Sequence, residues 1–409
     1  MRISSLVAMG FVATGLGCSP GDQAVTFSTR DSAGIRIVQN PAAPRGVWTV
    51  DSMPMLDIGG DASDPGQQLA QVVAAQRLSD GRVVVATSQP AEIRSFTPEG
   101  KALAVIGRNG SGPGEFQAPA WMGTAGGDSL LVFDLVHRRL TAFDSGGRYA
   151  WSYMVRSTDT AATTFLLPMG RLESGRLLAQ RGEFRFPWPG AEGEVRRDSV
   201  WVFLMDSSGV ADTIGRFPGN EFFGLAMNIG PGGSNVIMPS VVPFGRTLLA
   251  AGAGRHIAVA PGVDYEILYY RPDGSLASLV RRADTPRPLT PADVSRYKAY
   301  RNDQPLPRGI PQQMAEAFRS AVEKAPYPGT LPPYTQLLFD PAGNLWVQSP
   351  VIVPDDPAEW MVFDSTGVLV ASATTPARLR VTQIGTDWLL GIWQDPDEVQ
   401  HVRAYRIER

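Results

Sequence analysis

Along most of the chain, apolar residues come in short runs separated by tight polar turns. One recurring unit sets an aromatic or apolar residue before a turn ending in glycine: FTPEG at 96–100, FDSGG at 143–147, MDSSG at 205–209, YRPDG at 270–274 and FDSTG at 363–367. A second unit sets a turn before a β-rich run: LSDGRVVVA at 78–86, GGDSLLVFD at 126–134, LESGRLLAQ at 172–180, GAGRHIAVA at 252–260, PAGNLWVQS at 341–349 and GTDWLLGIW at 385–393. The two alternate in order, and AYRIER at the end, with Tyr405 in the aromatic place, supplies the sixth member of the first set. Short apolar runs bounded by Gly, Asp, Ser and Pro read as strands joined by hairpins.

Each pair of units therefore reads as strand a, tight turn, strand b, connection, strand c, tight turn, strand d. Four antiparallel strands repeated six times predict an all-β chain, a six-bladed β-propeller, because a lone sheet of this kind leaves apolar faces in water and radial stacking covers them. A jelly roll or a pair of sandwiches does not account for six repeats in order. The last unit stops after strand c, so the ring needs a strand from the N-terminal side. The run AGIRIVQN at 33–40 is free for that place and is expected as the outer strand of the final blade.

One segment departs from this rhythm. In LTPADVSRYKAYRND, Thr290 stands as an N-cap, Pro291 at the first helical position and Asp293 in the first turn. In PQQMAEAFRSAVEKA, Met314, Phe318 and Val322 recur at helical spacing on one face. Two short helices are expected, an insertion over about 289–326 between blades four and five, acting as a packed lid or brace.

Composition narrows the function classes. With 37 basic and 40 acidic residues, the net charge is −3, so bulk electrostatics does not recruit nucleic acid. The N-terminal stretch MRISSLVAMGFVATGLGC carries one charge at Arg2 and an apolar run over Leu6–Leu16, the form of a secretory signal over 1–17. Cys18 is the only cysteine, placed where a lipoprotein signal is cut and acylated. GLGC resembles the bacterial lipobox, with Gly15 where leucine is usual. Residues 18–30 then read as a tether and 31–409 as the propeller. The expected setting is extracytoplasmic, anchored by lipid, at the outer membrane on its periplasmic side or at the cell surface. With Cys18 acylated no disulfide is available, so the core alone holds the fold.

The long segments, 181–198, 216–246, 282–335, 348–359 and 394–400, are all b–c or d–a connections. In a propeller both kinds emerge on one face, and loops on a rigid scaffold are where binding concentrates. Within that face RGEFRFPWPG alternates Arg181 and Arg185 with Phe184, Phe186 and Trp188, a composition common at contact hot spots. The competing reading packs Phe186 and Trp188 onto their own blade.

Catalytic signatures are sparse. His137 and His401 are expected towards the elaborated face and His256 near the opposite one, so the three histidines do not form a metal site. No GxSxG elbow is present. Asp355 and Asp356 with Glu359, and Asp395 and Asp397 with Glu398, could bind a hard cation such as calcium or stand as solvated loop residues. IGRNGSGPGEFQAP at 106–119 is glycine-rich but lacks the Walker lysine, carries Glu115, and has Pro113 and Pro119 where a dinucleotide loop needs a helix. It reads as the connection from one blade's outer strand to the next inner strand, with Phe116 as a packing anchor.

That region, GRNGSGPGEFQAPAWMG followed by DSLLVFDLVHRRLTAFDSGGR, resembles the NHL-type repeat, with Gly114, Phe116, Pro119, Val132, Asp134, Arg139 and Phe143 at matching positions. The whole chain is similar to bacterial six-bladed β-propeller lipoproteins of unassigned function, and the likeness is concentrated over 75–150. The resemblance implies a fold and export and supplies no activity. The expected role is a monomeric binding or scaffold module that takes a protein, peptide or carbohydrate through the long-loop face, attached to the membrane by its N-terminal lipid and needing no cofactor. The alternative is a hydrolase, lactonase or lyase with a divalent cation in the central channel.

Overall fold

A tight turn needs a residue that tolerates positive φ, and the repeated glycines supply it. Gly81, Gly100, Gly147, Gly274, Gly343 and Gly367 all lie at φ between 78° and 89°. The aspartate of the FDS-type turns does the rest. Asp144 Oδ1 accepts from the backbone N–H of Gly146 and Arg148, both at 2.9 Å, and Asp364 Oδ1 accepts from Thr366 and Val368 at 2.8 and 3.0 Å. These turns are written into local sequence, so the strands they join could be placed from sequence.

The computed structural model describes residues 27–61, 63–155, 164–183, 188–207, 209–229, 234–304 and 312–409. The signal, Cys18 and most of the tether lie outside them. The described residues hold 31 strands and two α-helices, so the chain is mostly β. The strands pair as successive antiparallel meanders. The first runs Val72–Arg77, Val83–Ser88, Ala91–Phe96 and Ala102–Asn109. The second runs Pro119–Ala125, Ser129–Asp134, Arg139–Phe143 and Tyr149–Met154. The third runs Thr164–Leu172, Leu177–Glu183, Ser199–Asp206 and Gly209–Pro218. The fourth runs Leu249–Gly254, His256–Ala260, Glu266–Tyr270 and Leu276–Arg282. The fifth runs Gln336–Phe339, Leu345–Gln348, Ala358–Phe363 and Leu369–Thr375. The last runs Leu379–Ile384, Trp388–Gln394 and Gln400–Glu408.

Each first strand contacts the first strand of the following meander, and Leu379–Ile384 returns to Val72–Arg77. The apolar clusters follow the same order. Val84, Ile93, Val132 and Phe143 lie between the first and second meanders, while Val83, Val85 and Phe96 pack against Leu390, Ile392 and Val402 of the last. Successive residues of one strand thus enter opposite cores, which is why the middle strands are apolar without alternation. This is the arrangement of a β-propeller. Between the third and fourth meanders the first strands pair directly and in parallel, and Gly170 backs onto the Gly252 carbonyl with no room for a Cβ.

The N-terminal strand pairing differs from expectation. Ile35–Asn40 does not join the last meander; it lies parallel to Leu276–Arg282, outside the fourth. Gly46–Val50 then runs parallel to Leu369–Thr375 and turns to pair antiparallel with Gln400–Glu408. Leu56–Ile58 is the segment that completes the last meander beside Gln400–Glu408. Asn40 provides the physical reason. Its buried amide donates to the carbonyls of Arg281 at 3.1 Å and Gly367 at 2.9 Å and accepts from Leu369 N–H at 2.8 Å, tying the strand between two meanders.

The loop insertions have structure of their own. Val195–Arg196, Phe222–Ile229 and Ser234–Val241 form a small three-stranded antiparallel sheet from segments expected as irregular connections. Helices α1 (Pro291–Asp303) and α2 (Gln312–Lys324) follow the fourth meander. Thr290 and Asp293 exchange side chain-to-backbone hydrogen bonds in a capping box. On α2 Ala317 and Val322 are buried, and Ala321 packs together with Ala325, just past the helix end, against Phe223 and Leu225 of the small sheet and the adjoining Val242, whereas Phe318 is exposed. The small residues let the helix sit close to that sheet, so Phe318 is turned outward.

Candidate functional site: a charged cleft among the long connections

On the elaborated side a concavity of about 970 Å³ lies where the connections of the fourth and fifth meanders converge. Its walls come from Val263–Glu266, Asp284–Arg287, Pro328–Pro333 and Ser349–Val351, with Phe244 and Arg246 from the insertion. Six prolines, Pro286, Pro328, Pro332, Pro333, Pro350 and Pro357, stand along these walls. Their fixed φ limits the conformations of the rim before any ligand arrives.

The aromatic support is firm. Tyr265 is buried and meets Tyr334 edge-on at 5.6 Å. The Tyr334 hydroxyl accepts from Gly262 N–H at 2.8 Å and donates to the Glu266 carbonyl at 3.0 Å, which holds the Val263–Glu266 turn. Arg282 lies 5.0 Å over the Tyr265 ring and donates to the Ala42 carbonyl at 2.9 Å, connecting the cleft to the N-terminal segment.

Charge in the cleft is sorted by pairing. Arg246 meets Glu221 at 2.9 Å, Arg281 meets Glu266 at 2.6 Å, Arg282 meets Asp284 at 3.6 Å and Arg287 meets Asp293 at 3.5 Å. All four lining arginines are therefore engaged by carboxylates of this chain. Asp264 and Glu359 also line the cleft and are exposed. Burial raises the Asp284 carboxyl above its usual value, with Arg282 opposing the shift. The charge left for a ligand is negative.

Of the residues singled out from sequence for binding, Phe184, Arg185 and Phe186 lie outside the described residues, as does Cys18. Arg181 stands opposite Leu166 in the third meander. Trp188 is 8% exposed, and its indole nitrogen lies where a Cβ on Gly224 would come within 2.6 Å, so the ring rests on the small inserted sheet. Neither Arg181 nor Trp188 lines the cleft. Asp355 pairs with Arg378 and Asp356 with Arg296 at 2.7 Å. Asp395 accepts from Val399 N–H at 2.8 Å and lies 3.9 Å from His401 Nε2, while Asp397 is exposed. Among the described residues no group of three or more His, Cys, Asp or Glu is placed to hold a metal ion. His401 Nδ1 is 2.7 Å from Asp57, His256 packs on Phe339 at 5.5 Å, and His137 lies in the b–c turn of the second meander. The cleft itself was beyond sequence reasoning, since it is assembled from segments remote from one another in the chain; the proline density of 326–333 and 350–357 was its local trace.

No helix among the described residues is long and apolar enough to cross a membrane. No family model and no curated protein matches this chain. Solved structures similar to it include a member of the duf4221 family from Bacteroides vulgatus, at 9% identity and TM-score 0.48, covering 89% of this chain and 99% of that one. Virginiamycin B lyase from Staphylococcus aureus is similar at 8% identity and TM-score 0.40, covering 87% and 99%. The calcium-binding protein regucalcin from Agrobacterium tumefaciens is similar at 10% identity and TM-score 0.40, covering 90% and 96%.

Proposed function

We propose that the chain is a six-bladed β-propeller of four-stranded blades, exported and anchored through Cys18, that binds a cationic ligand in the cleft of its elaborated face. The ring reading is supported by the closed cycle of first-strand contacts and by Leu56–Ile58 completing the last meander. The binding reading rests on one observation: every lining arginine is neutralised internally, which leaves Asp264 and Glu359 to face a ligand. A peptide segment bearing lysine or arginine fits that chemistry, with the proline rim offering apolar contact. The role is that of a scaffold or receptor.

A panel of short basic, neutral and acidic peptides, measured by calorimetry at two salt concentrations, tests this. Basic peptides should bind, and the paired change Asp264→Asn with Glu359→Gln should weaken them at least about 10-fold, given about 1.4 kcal/mol per decade of affinity. Added salt should weaken the wild-type interaction. Preference for acidic peptides, or binding unmoved by the double change, would overturn the assignment.

A further inference from the structure

Away from the cleft, the glycine-rich loop and the b–c turn of the second meander bring three side chains into one hydrogen-bonded string. Ser111 Oγ is 3.2 Å from His137 Nε2, and His137 Nδ1 is 3.1 Å from Asp134 Oδ2. Asp134 is fully buried and accepts from the backbone N–H groups of Gln117, His137 and Ala118 at 2.6, 2.9 and 3.3 Å. An ionised carboxylate only accepts, so Nδ1 carries the imidazole proton and Nε2 is left as the acceptor for the serine hydroxyl. The carboxylate fixes the tautomer, the imidazole is positioned as a base, and the exposed Ser111 is the group it serves.

The loop is held in shape around this string. Arg139 donates to the carbonyls of Ser111 at 3.2 Å, Gly112 at 3.1 Å and Glu115 at 2.6 Å. Glu115 occupies the Gly112 N–H at 2.9 Å, so that amide is not open to a substrate oxygen. The donor nearest the nucleophile is the Gln117 side-chain amide, whose Nε2 lies 3.2 Å from Ser111 Oγ. One side-chain donor stabilises an oxyanion less than a pair of fixed amides does, which suits esters with good leaving groups rather than amides.

We infer that Ser111, His137 and Asp134 form a second site, a serine-nucleophile centre for hydrolysis of small exposed carboxylic esters. Ser111 Oγ bonds to the ester carbonyl carbon as its proton passes to His137 Nε2. The bond from that carbon to the alcohol oxygen breaks, and His137 returns the proton to the departing alkoxide. Water, deprotonated by His137, attacks the acyl-serine; the carboxylic acid leaves and Ser111 recovers its proton. Asp134 is a positioning residue throughout.

The test uses the folded full chain with p-nitrophenyl acetate and, separately, a fluorophosphonate probe followed by peptide mass spectrometry. The expected result is a phosphonyl adduct on Ser111 and ester hydrolysis that falls about 100-fold in Ser111→Ala. His137→Gln should lose both label and hydrolysis while keeping the native circular dichroism spectrum. Ser111→Ala lies on an exposed loop side chain, so its folding is not in question. Absence of an adduct at Ser111, or hydrolysis unchanged in Ser111→Ala, would overturn the site.

Discussion

Asp134 shows how much one side chain can carry. Burial by itself pushes its carboxyl up, but hydrogen bonds from the His137, Gln117 and Ala118 amides, aided by the His137 ring, outweigh burial and hold it below the ordinary aspartate range. A depressed carboxylate contributes stability in full above the unfolded value near about 4 and loses it as pH falls through its own lower value. Asp134→Asn should therefore cost about 1–3 kcal/mol at neutral pH, because one amide oxygen cannot replace two carboxylate oxygens for three backbone donors and the His137 ring. The variant should also lose less stability than wild type on going from neutral pH to acid below about pH 4. Urea unfolding across that range reads both effects; an acid limb parallel to wild type would assign the loss to other carboxylates. The position was legible as part of the Val-x-Asp strand, and Phe116 and Phe143 proved to be buried anchors 5.9 Å apart. The string to Ser111 was not legible, since it needs residues 23 and 26 positions apart placed by two different strands.

At the scale of elements, the N-terminal segment is the least expected part. Outer strands leave a row of unpaired N–H and C=O groups, and Ile35–Asn40, Gly46–Val50 and Leu56–Ile58 cover such edges on the fourth, fifth and last meanders in turn. Trp48, packed 5.4 Å from Trp346 and 4.7 Å under the Arg409 guanidinium, pins the middle of this strap. Asn40→Ala strands two carbonyls and one N–H and should cost about 3 kcal/mol. It should also speed amide exchange in Leu276–Arg282 and around Leu369. Denaturant unfolding with hydrogen exchange checks this, and a change within about 0.5 kcal/mol would mean that the strap adds no grip on the ring. The tight turns and the capping box at Thr290 were legible because their chemistry is local. The strap was not, because a parallel edge addition has no turn to announce it.

For the whole molecule, the apolar clusters between consecutive meanders leave no part of the ring to fold alone, as stacked units share each core. The proposed lipid at Cys18 would be joined to this ring through the tether, of which Phe27 packs against the cluster between the fourth and fifth meanders, while the buried residues of those clusters all come from residues 38–407. Cys18→Ala should therefore shift the protein from the membrane to the soluble fraction without moving its melting temperature. Fractionation with intact-mass analysis decides the point; equal partitioning of both forms would remove the anchor from the proposal.

What the sequence by itself determined is the strand rhythm, the turn chemistry and the helical insertion, because each depends on contacts within a few residues and on the two-sided apolar demand of middle strands. Tertiary structure alone decided where the N-terminal strands pair, how the arginines of the cleft are neutralised, and that Ser111 meets His137. Those outcomes rest on contacts between segments remote in the chain, such as Asn40 with Gly367 or Arg282 with Ala42. No local pattern encodes which distant carbonyl or carboxylate a side chain will find once the meanders have stacked.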